Sequence, residues 1–408
     1  MSDKDEFISK YFSYIDEHAQ MYIDRLAEAV AIESVSADLA NHLSDIVKMM
    51  EWTKYHIERL GGNATFLTNP KSTEDHPLPP ILLAEFITDP TLKTVCVYGH
   101  LDVQPAKMSD GWLSEPFVLN ERDEKLYGRG STDDKGPALS WLWVIEAYQQ
   151  INAKIPVNLK LMYEGMEESG SDGMYEAIQE LAKPGNFLYD VDFFCISDNY
   201  WLGKSKPCLT YGLRGMAYFE LEVQCAEQDL HSGVFGGTIH EGMTDLIRLL
   251  SVLVEPATGK ILIPGIMDDV TPVTDDEDKL YDSIDFDINS FKKEATVYSV
   301  SDSLIHDNKK SLLMARWRYP TLSIHGIEGA FANKGAKTVI PSTVKGKFSL
   351  RLVPNQKPDN IAEIVQDYLK LEFHKVRRYG HMLFETSLRG LALPYSQIEF
   401  LSYNHPTK

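Results

Sequence analysis

The sequence predicts an α/β domain followed by a smaller α+β unit, and three observations carry that expectation. Strand-like apolar runs alternate with helical segments through the first half. The pattern then restarts after Lys206-Pro207. A length of 408 residues with 43% apolar content suffices for two cores. From Ile23 to Leu60 the apolar residues recur at helical spacing, broken near Glu33-Ser34-Val35-Ser36, so two helices are expected before the first strand. Thr94–Tyr98 (TVCVY), Asn158–Tyr163 (NLKLMY) and Val191–Ile196 (VDFFCI) are short apolar or β-branched runs that read as strands. Pro137–Gln149 reads as a helix with proline in its first turn. The second unit reads as strand Met216–Val223, helix Ile239–Val254, strands Leu322–His325 and Gly346–Leu352, and helix Asn360–Lys370, an order that suits a small α+β sandwich. Asp268–Asp307 is acidic and is expected to be an irregular surface excursion.

The charge balance narrows the class. Lys and Arg total 40 against 60 Asp and Glu, a formal net charge of −20. Nucleic acid and anionic membrane surfaces are excluded as partners, because phosphate recognition needs clustered basic side chains. The opening MSDKDEFISKYF lacks the apolar run of a signal peptide, and no apolar stretch is long enough to span a bilayer. A cytoplasmic protein is the expectation. Cys96, Cys195, Cys208 and Cys225 have no CxxC spacing and are expected to be buried free thiols of a reducing compartment.

Four acidic or histidine clusters carry the chemistry, each placed where a strand runs out or a glycine-rich turn opens a helix. In open α/β sheets the ligand crevice lies at the carboxyl ends of the strands, so clusters distant in sequence can converge there. In Tyr98-Gly99-His100-Leu101-Asp102 a neutral imidazole can bind a metal while Asp102 accepts the other ring proton. Gly128–Pro137 (GRGSTDDKGP) places Asp133 and Asp134 before a helix, where either could simply be a cap. Glu164–Ser171 (EGMEESGS) offers adjacent carboxylates, one for a metal and one for a proton, although a solvated acidic turn has the same composition. Ile196-Ser197-Asp198-Asn199 sets a further carboxylate directly after a strand. Each cluster alone has an ordinary structural explanation, whereas the ordered set of His, Asp, Glu-Glu and Asp points to a metal site. Carboxylate and imidazole ligands suit Zn²⁺ or Mn²⁺, and a bridging carboxylate can hold two ions about 3.5 Å apart. Glu167 is then the natural general base for water activated by the metals.

The segments VYGHLDVQPA, LYGRGSTDDKGP, YEGMEESGS and ISDNYWLG closely resemble the zinc peptidase family of aminoacylases, carboxypeptidase G-like enzymes and carnosinases, over roughly residues 1–370. The resemblance is nearest to its dipeptidase branch. It implies a zinc-exopeptidase-like catalytic domain with an inserted ferredoxin-like lid and dimerisation domain. It implies that His100 and Asp198 bind one metal, Asp133 bridges, Glu168 binds the second, Glu167 is the base and Asp102 orients His100. It also implies a cis peptide between Asp133 and Asp134. Leu230-His231-Ser232-Gly233 and Phe235-Gly236-Gly237 are similar to the family's lid motif, whose histidine stabilises the substrate carbonyl in the partner subunit's site. Gly335-Ala336-Lys337-Thr338 and Phe348–Pro354 (FSLRLVP) are similar to segments whose Thr and Arg bind substrate, so Thr338 and Arg351 are expected there, with Arg351 gripping a carboxylate.

The expected organisation is a first catalytic part at 1–208, a lid at 209–375 and a divergent tail at 376–408. After about Glu372 the sequence matches neither the family's returning catalytic segment nor its final metal-binding histidine, and His374, His381 and His405 lack the expected context. The resemblance therefore implies a homodimeric metallodipeptidase acting on dipeptides with two divalent ions, Zn or Mn, per subunit. The alternatives are an N-acyl amino acid deacylase or carboxypeptidase of the same family, or an inactive truncated form serving as an interaction module. Retention of every upstream cluster favours the enzyme.

Overall fold

The computed structural model describes residues 3–87, 89–203, 206–295, 304–376 and 381–387. It divides into two units, Met1–Tyr200 and Trp201–Lys408, so the division falls at 200/201 where the sequence suggested 208/209.

In the first unit, helices α1 (Asp3–Glu17), α2 (Ala19–Val30) and α3 (Leu39–Arg59) precede β1 (Asn63–Leu67) and β2 (Ile81–Phe86). Helix α1 is one more than expected. Its charged residues mask the helical period, but Phe7 and Tyr11 pack their rings against Tyr148, at 5.3 and 5.5 Å. Then follow β3 (Thr94–His100), a small hairpin of β4 (Asn120–Arg122) and β5 (Lys125–Tyr127), α4 (Lys135–Gln150), β6 (Asn158–Glu164), α5 (Met174–Leu181) and β7 (Phe193–Ile196). The main sheet has the order β1-β2-β6-β3-β7. Strands β6, β3 and β7 run parallel, while β1 and β2 are antiparallel additions.

Alternation along the strands builds a core on each face of this sheet. Leu82, Ala84, Val97, Leu159 and Leu161 pack with Met49, Met50 and Ile57 of α3 and with Leu139, Leu142 and Ile145 of α4. Ile81, Leu83, Cys96 and Met162 point the other way, onto Met174, Ala177 and Leu181 of α5. Covered on both faces, β6 is buried at every position.

The second unit contains β8 (Gly215–Gln224), β9 (Leu230–His231), α6 (Ser232–Phe235), α7 (Gly242–Ser251), α8 (Asp275–Ser283), α9 (Ile288–Ala295), α10 (Lys309–Trp317), β10 (Thr321–Glu328), β11 (Val339–Ile340), β12 (Thr343–Leu352), α11 (Pro358–Val376) and β13 (His381–Ser387). Its four-stranded antiparallel sheet has the order β10-β12-β8-β13. With α7 and α11 between the strands, this is the βαββαβ order of the expected ferredoxin-like lid. Helices cover one face: Phe219, Leu221, Phe348 and Leu350 pack with Leu246 and Leu249 of α7 and Val365 and Leu369 of α11.

Two expectations are corrected here. The described part of the stretch 268–307 is not irregular throughout, because it carries α8 and α9, which with α10 enclose a small core around Tyr281 and Leu313. The segment assigned to the tail from 376 supplies β13, whose backbone pairs with β8 from His381↔Gln224 to Ser387↔Tyr218. A strand on the sheet's edge needs only backbone pairing, so its sequence carries little signal. Among the described residues no helix is long and apolar enough to cross a membrane.

Candidate metal centre

Three parallel strands end together, and their carboxyl ends present the acidic clusters. His100 closes β3 beside Glu164 at the end of β6. Tyr98 pairs with Ile196 at the end of β7, which places Asp198 just beyond that strand. Asp133 enters from the turn that opens α4, and the Asp133–Asp134 peptide is cis. Asp134 occupies the N-cap position of α4 but makes no side-chain cap hydrogen bond, so capping does not explain the pair. Its Oδ2 instead accepts from the backbone N–H of His100, at 3.2 Å.

His100, Asp133 and Asp198 offer ligand atoms that all lie within 4.8 Å of one another. The fully buried imidazole has its Nδ1 3.1 Å from the backbone oxygen of Asp102 and 3.4 Å from that residue's Oδ1. Nδ1–H is the donor there, which leaves Nε2 turned toward Asp133 Oδ1, 3.1 Å away, and Asp198 Oδ2, 3.8 Å away. Glu167 Oε2 lies 3.9 Å from the same nitrogen. Glu168, expected as a ligand, stands apart from the group of three, and its Oε2 accepts from Gln104 Nε2 at 2.9 Å.

The electrostatics follow from packing carboxylates around one imidazole. Burial opposes charge on His100, but its hydrogen bonds to Asp102 and Asp133 outweigh it and push the ring up to about 11. The hydrogen bond to His100 in turn holds Asp133 below the usual carboxylate range. Burial pushes Glu167 up to about 7, with Asp198, Glu168 and Asp102 adding to the rise and His100 opposing it. Burial likewise raises Glu168 and Asp198. Asp134 is raised to about 7, first by burial, and its Oδ1 is buried without a hydrogen-bond partner. Excess carboxylate charge, an orphaned oxygen and a preset imidazole fit a divalent cation.

Sequence reasoning missed the supports. Lys135 is fully buried and its Nζ donates to the carbonyls of Ala29 and Ile32, at 2.9 and 2.7 Å, tying the start of α4 to the end of α2. Glu164, only 2% exposed, accepts from the Tyr98 hydroxyl at 2.5 Å and closes the base of the turn carrying Glu167 and Glu168. A charged residue ending an apolar strand was the available signal for Glu164; for Lys135 it was a lysine following two aspartates at a helix start.

In the second unit the structure brings His231 and Thr338 together. His231 ends β9, where it pairs with Val339 of β11, and Thr338 immediately precedes that strand. Gly233 N–H donates to His231 Nδ1 at 3.0 Å, so in the neutral ring Nε2 carries the proton and donates to Thr338 Oγ1 at 3.1 Å. Arg351 stands on a different sheet, exposed on the face of β12 away from the helices. His374 lies in α11, His381 begins β13, and His405 lies outside the described residues.

An α/β sheet with metal-ligating groups at its parallel strand ends, joined to a ferredoxin-like unit, defines a metal-dependent hydrolase of the exopeptidase type. Residues 96–375 match the model of peptidase family M20/M25/M40, and the chain belongs to that family. It is a peptidase of a class that binds divalent metal. It is 49% identical over 378 residues to the Cys-Gly metallodipeptidase DUG1 of Candida albicans, covering 90% of this chain and 75% of that one. Against the Beta-Ala-His dipeptidase of Homo sapiens it is 44% identical over 386 residues, covering 93% and 75%. The crystal structure of human carnosine dipeptidase 1 superposes with a TM-score of 0.85 at 44% identity, covering 94% of this chain and 80% of that one.

Proposed function

We propose that this chain is a metallodipeptidase that hydrolyses the peptide bond of dipeptides. The observation that carries the reading is the convergence of His100, Asp133 and Asp198 within 4.8 Å, with Glu167 beside them, in a chain 44–49% identical to two dipeptidases. His100 and Asp198 would hold one divalent ion, Glu168 a second, and Asp133 would bridge them, with Zn or Mn as the ions. Such ions polarise the scissile carbonyl and lower the pKa of water. Glu167, raised to about 7 by burial first, is poised to take a proton from water near neutral pH and to return it to the departing amine. Asp102 fixes the His100 ring through Nδ1, so that Nε2 faces the ligand position. His231 presents Nε2–H, a donor suited to the carbonyl oxygen as it gains negative charge, with Thr338 beside it. Arg351 is suited to hold the substrate carboxylate bidentately.

The resemblance further supports a homodimer through the second unit. The free cysteines among the described residues support a reducing, cytoplasmic setting. Metal content by mass spectrometry, run beside hydrolysis of a dipeptide panel and of N-acyl amino acids with added Mn²⁺ or Zn²⁺, tests the function. Two ions per chain with dipeptide turnover are expected. Turnover confined to acyl substrates would make the chain a deacylase, and no bound metal with no turnover would overturn the enzymatic reading.

A further inference from the structure

Gln104 is exposed, yet its amide is committed to one neighbour: Nε2 donates to Glu168 Oε2 at 2.9 Å and to the Glu168 backbone oxygen at 3.1 Å. The backbone leading to Gln104 is anchored. Leu101 N–H donates to the Glu164 carbonyl at 2.8 Å and Val103 N–H to the Ser34 carbonyl at 2.9 Å, while the fully buried Ser34 donates its hydroxyl to the Leu101 carbonyl at 2.6 Å. The turn that carries Glu168 is held as well, since the Glu168 N–H donates to Asp102 and the Ser169 hydroxyl lies 2.9 Å from that of Ser36. Asp102 and Gln104 therefore project from one fixed segment, the first onto His100 and the second onto Glu168.

A tie between the two loops needs only the contact to the backbone oxygen. The contact to Oε2 does something further, because it fixes the orientation of the carboxylate and leaves Oε1 free of that bond. Burial raises Glu168, the hydrogen bond from Gln104 opposes the rise, and the charge of Asp133 adds to it. Glu168 thus lies within the field of Asp133, and repulsion between two carboxylates is what a shared cation offsets. A carboxylate that ligates a metal is ordinarily held by an outer hydrogen bond, whose loss lowers affinity about 10- to 100-fold.

We infer that Gln104 is a positioning residue for the second ion, holding the Glu168 carboxylate by Oε2 so that Oε1 is preset to ligate. The inference rests on the two-ion part of the proposed function. It assigns to Gln104, for the second ion, the part that Asp102 plays for the first.

The test is calorimetric titration of the full, metal-free chain with Mn²⁺, with paramagnetic resonance spectra recorded along the titration. The wild type is expected to take up two ions in two steps, the second producing the spin-coupled spectrum of a close Mn²⁺ pair. Gln104→Met, which keeps the length of the side chain and removes the donor, should weaken the second step about 10-fold and leave the first within about 2-fold. The coupled spectrum should then give way to that of isolated ions, while the thermal midpoint of the metal-free chain stays at the wild-type value because the site is exposed. Equal weakening of both steps, which marks a general loosening of the loop, overturns the inference. So does a second step kept in full, which makes the contact incidental. Failure of the two-ion reading shows separately, in a wild type that binds one ion or none, and the inference falls with it.

Discussion

The carboxylate of Asp102 reaches the backbone of Glu167: Oδ1 accepts from the Glu167 N–H at 3.2 Å, while Oδ2 accepts from Glu168 N–H at 3.1 Å. The same Oδ1 lies 3.4 Å from His100 Nδ1. One buried side chain therefore sets both the imidazole and the turn bearing the proposed base and second ligand.

Asp102→Ala should disturb both at once. Metal affinity and kcat are expected to fall about 10- to 100-fold each, whereas Asp102→Asn, which keeps one acceptor oxygen, should lose less. Steady-state kinetics beside a metal titration decides it; an alanine variant with unchanged metal affinity would show that Asp102 does not hold the site.

Metal uptake should release protons. In the metal-free chain His100 titrates near 11 against an ordinary 6.5, so its charged form stabilises the fold fully below pH 6.5, and that contribution is lost as pH rises toward 11. An imidazole must be neutral to ligate, so binding at pH 7–8 expels about one proton from His100, and affinity falls as pH drops. Calorimetry in two buffers of different ionisation enthalpy measures this directly. An apparent enthalpy independent of buffer would count against the protonated imidazole.

Glu164 should matter to stability beyond its apparent remoteness. Glu164→Leu removes the acceptor of the Tyr98 hydroxyl and leaves it only the Ser171 side chain, and a lost buried hydrogen bond of this kind costs about 1–3 kcal/mol. Glu164→Gln keeps an acceptor at nearly the same shape and should cost under half as much. Urea unfolding monitored by tryptophan fluorescence compares them, and equal midpoints would remove the hydrogen bond as the cause.

Thiol labelling should separate the cysteines. Cys208 is exposed, whereas burial pushes the Cys96 thiol up to about 12 against the opposing charge of Lys160. Iodoacetamide at pH 8 should modify Cys208 in the native protein and reach Cys96 only after denaturation. Mass spectrometry of the peptides reads the order.

The legible parts of this molecule are those where one physical signal dominates. His100, Asp133 and Asp198 could be read because each follows an apolar strand run or opens a helix, the positions where an α/β sheet presents its ligand crevice. The helices of the acidic excursion were illegible by hydrophobic period alone, since α8 has a single buried residue, Tyr281. A start signal was nevertheless present: Thr274 is followed three residues on by Glu277, and its Oγ1 accepts from that N–H at 3.2 Å. The meeting of His231 with Thr338, 107 residues apart, was available only through resemblance, because nothing local in either segment encodes the other. Cysteine burial was over-read, as Cys208 shows.

The placement of β13 has one more consequence. It runs antiparallel to β8, and its last residue, Ser387, lies opposite Tyr218 near the start of that strand. The polypeptide therefore enters the sheet at Gly215 and reaches Ser387 on the adjacent strand only three residues along from that entry, roughly 11 Å away. A folded cassette whose two ends lie this near on neighbouring strands can be transplanted between host loops, or excised and closed with a short linker.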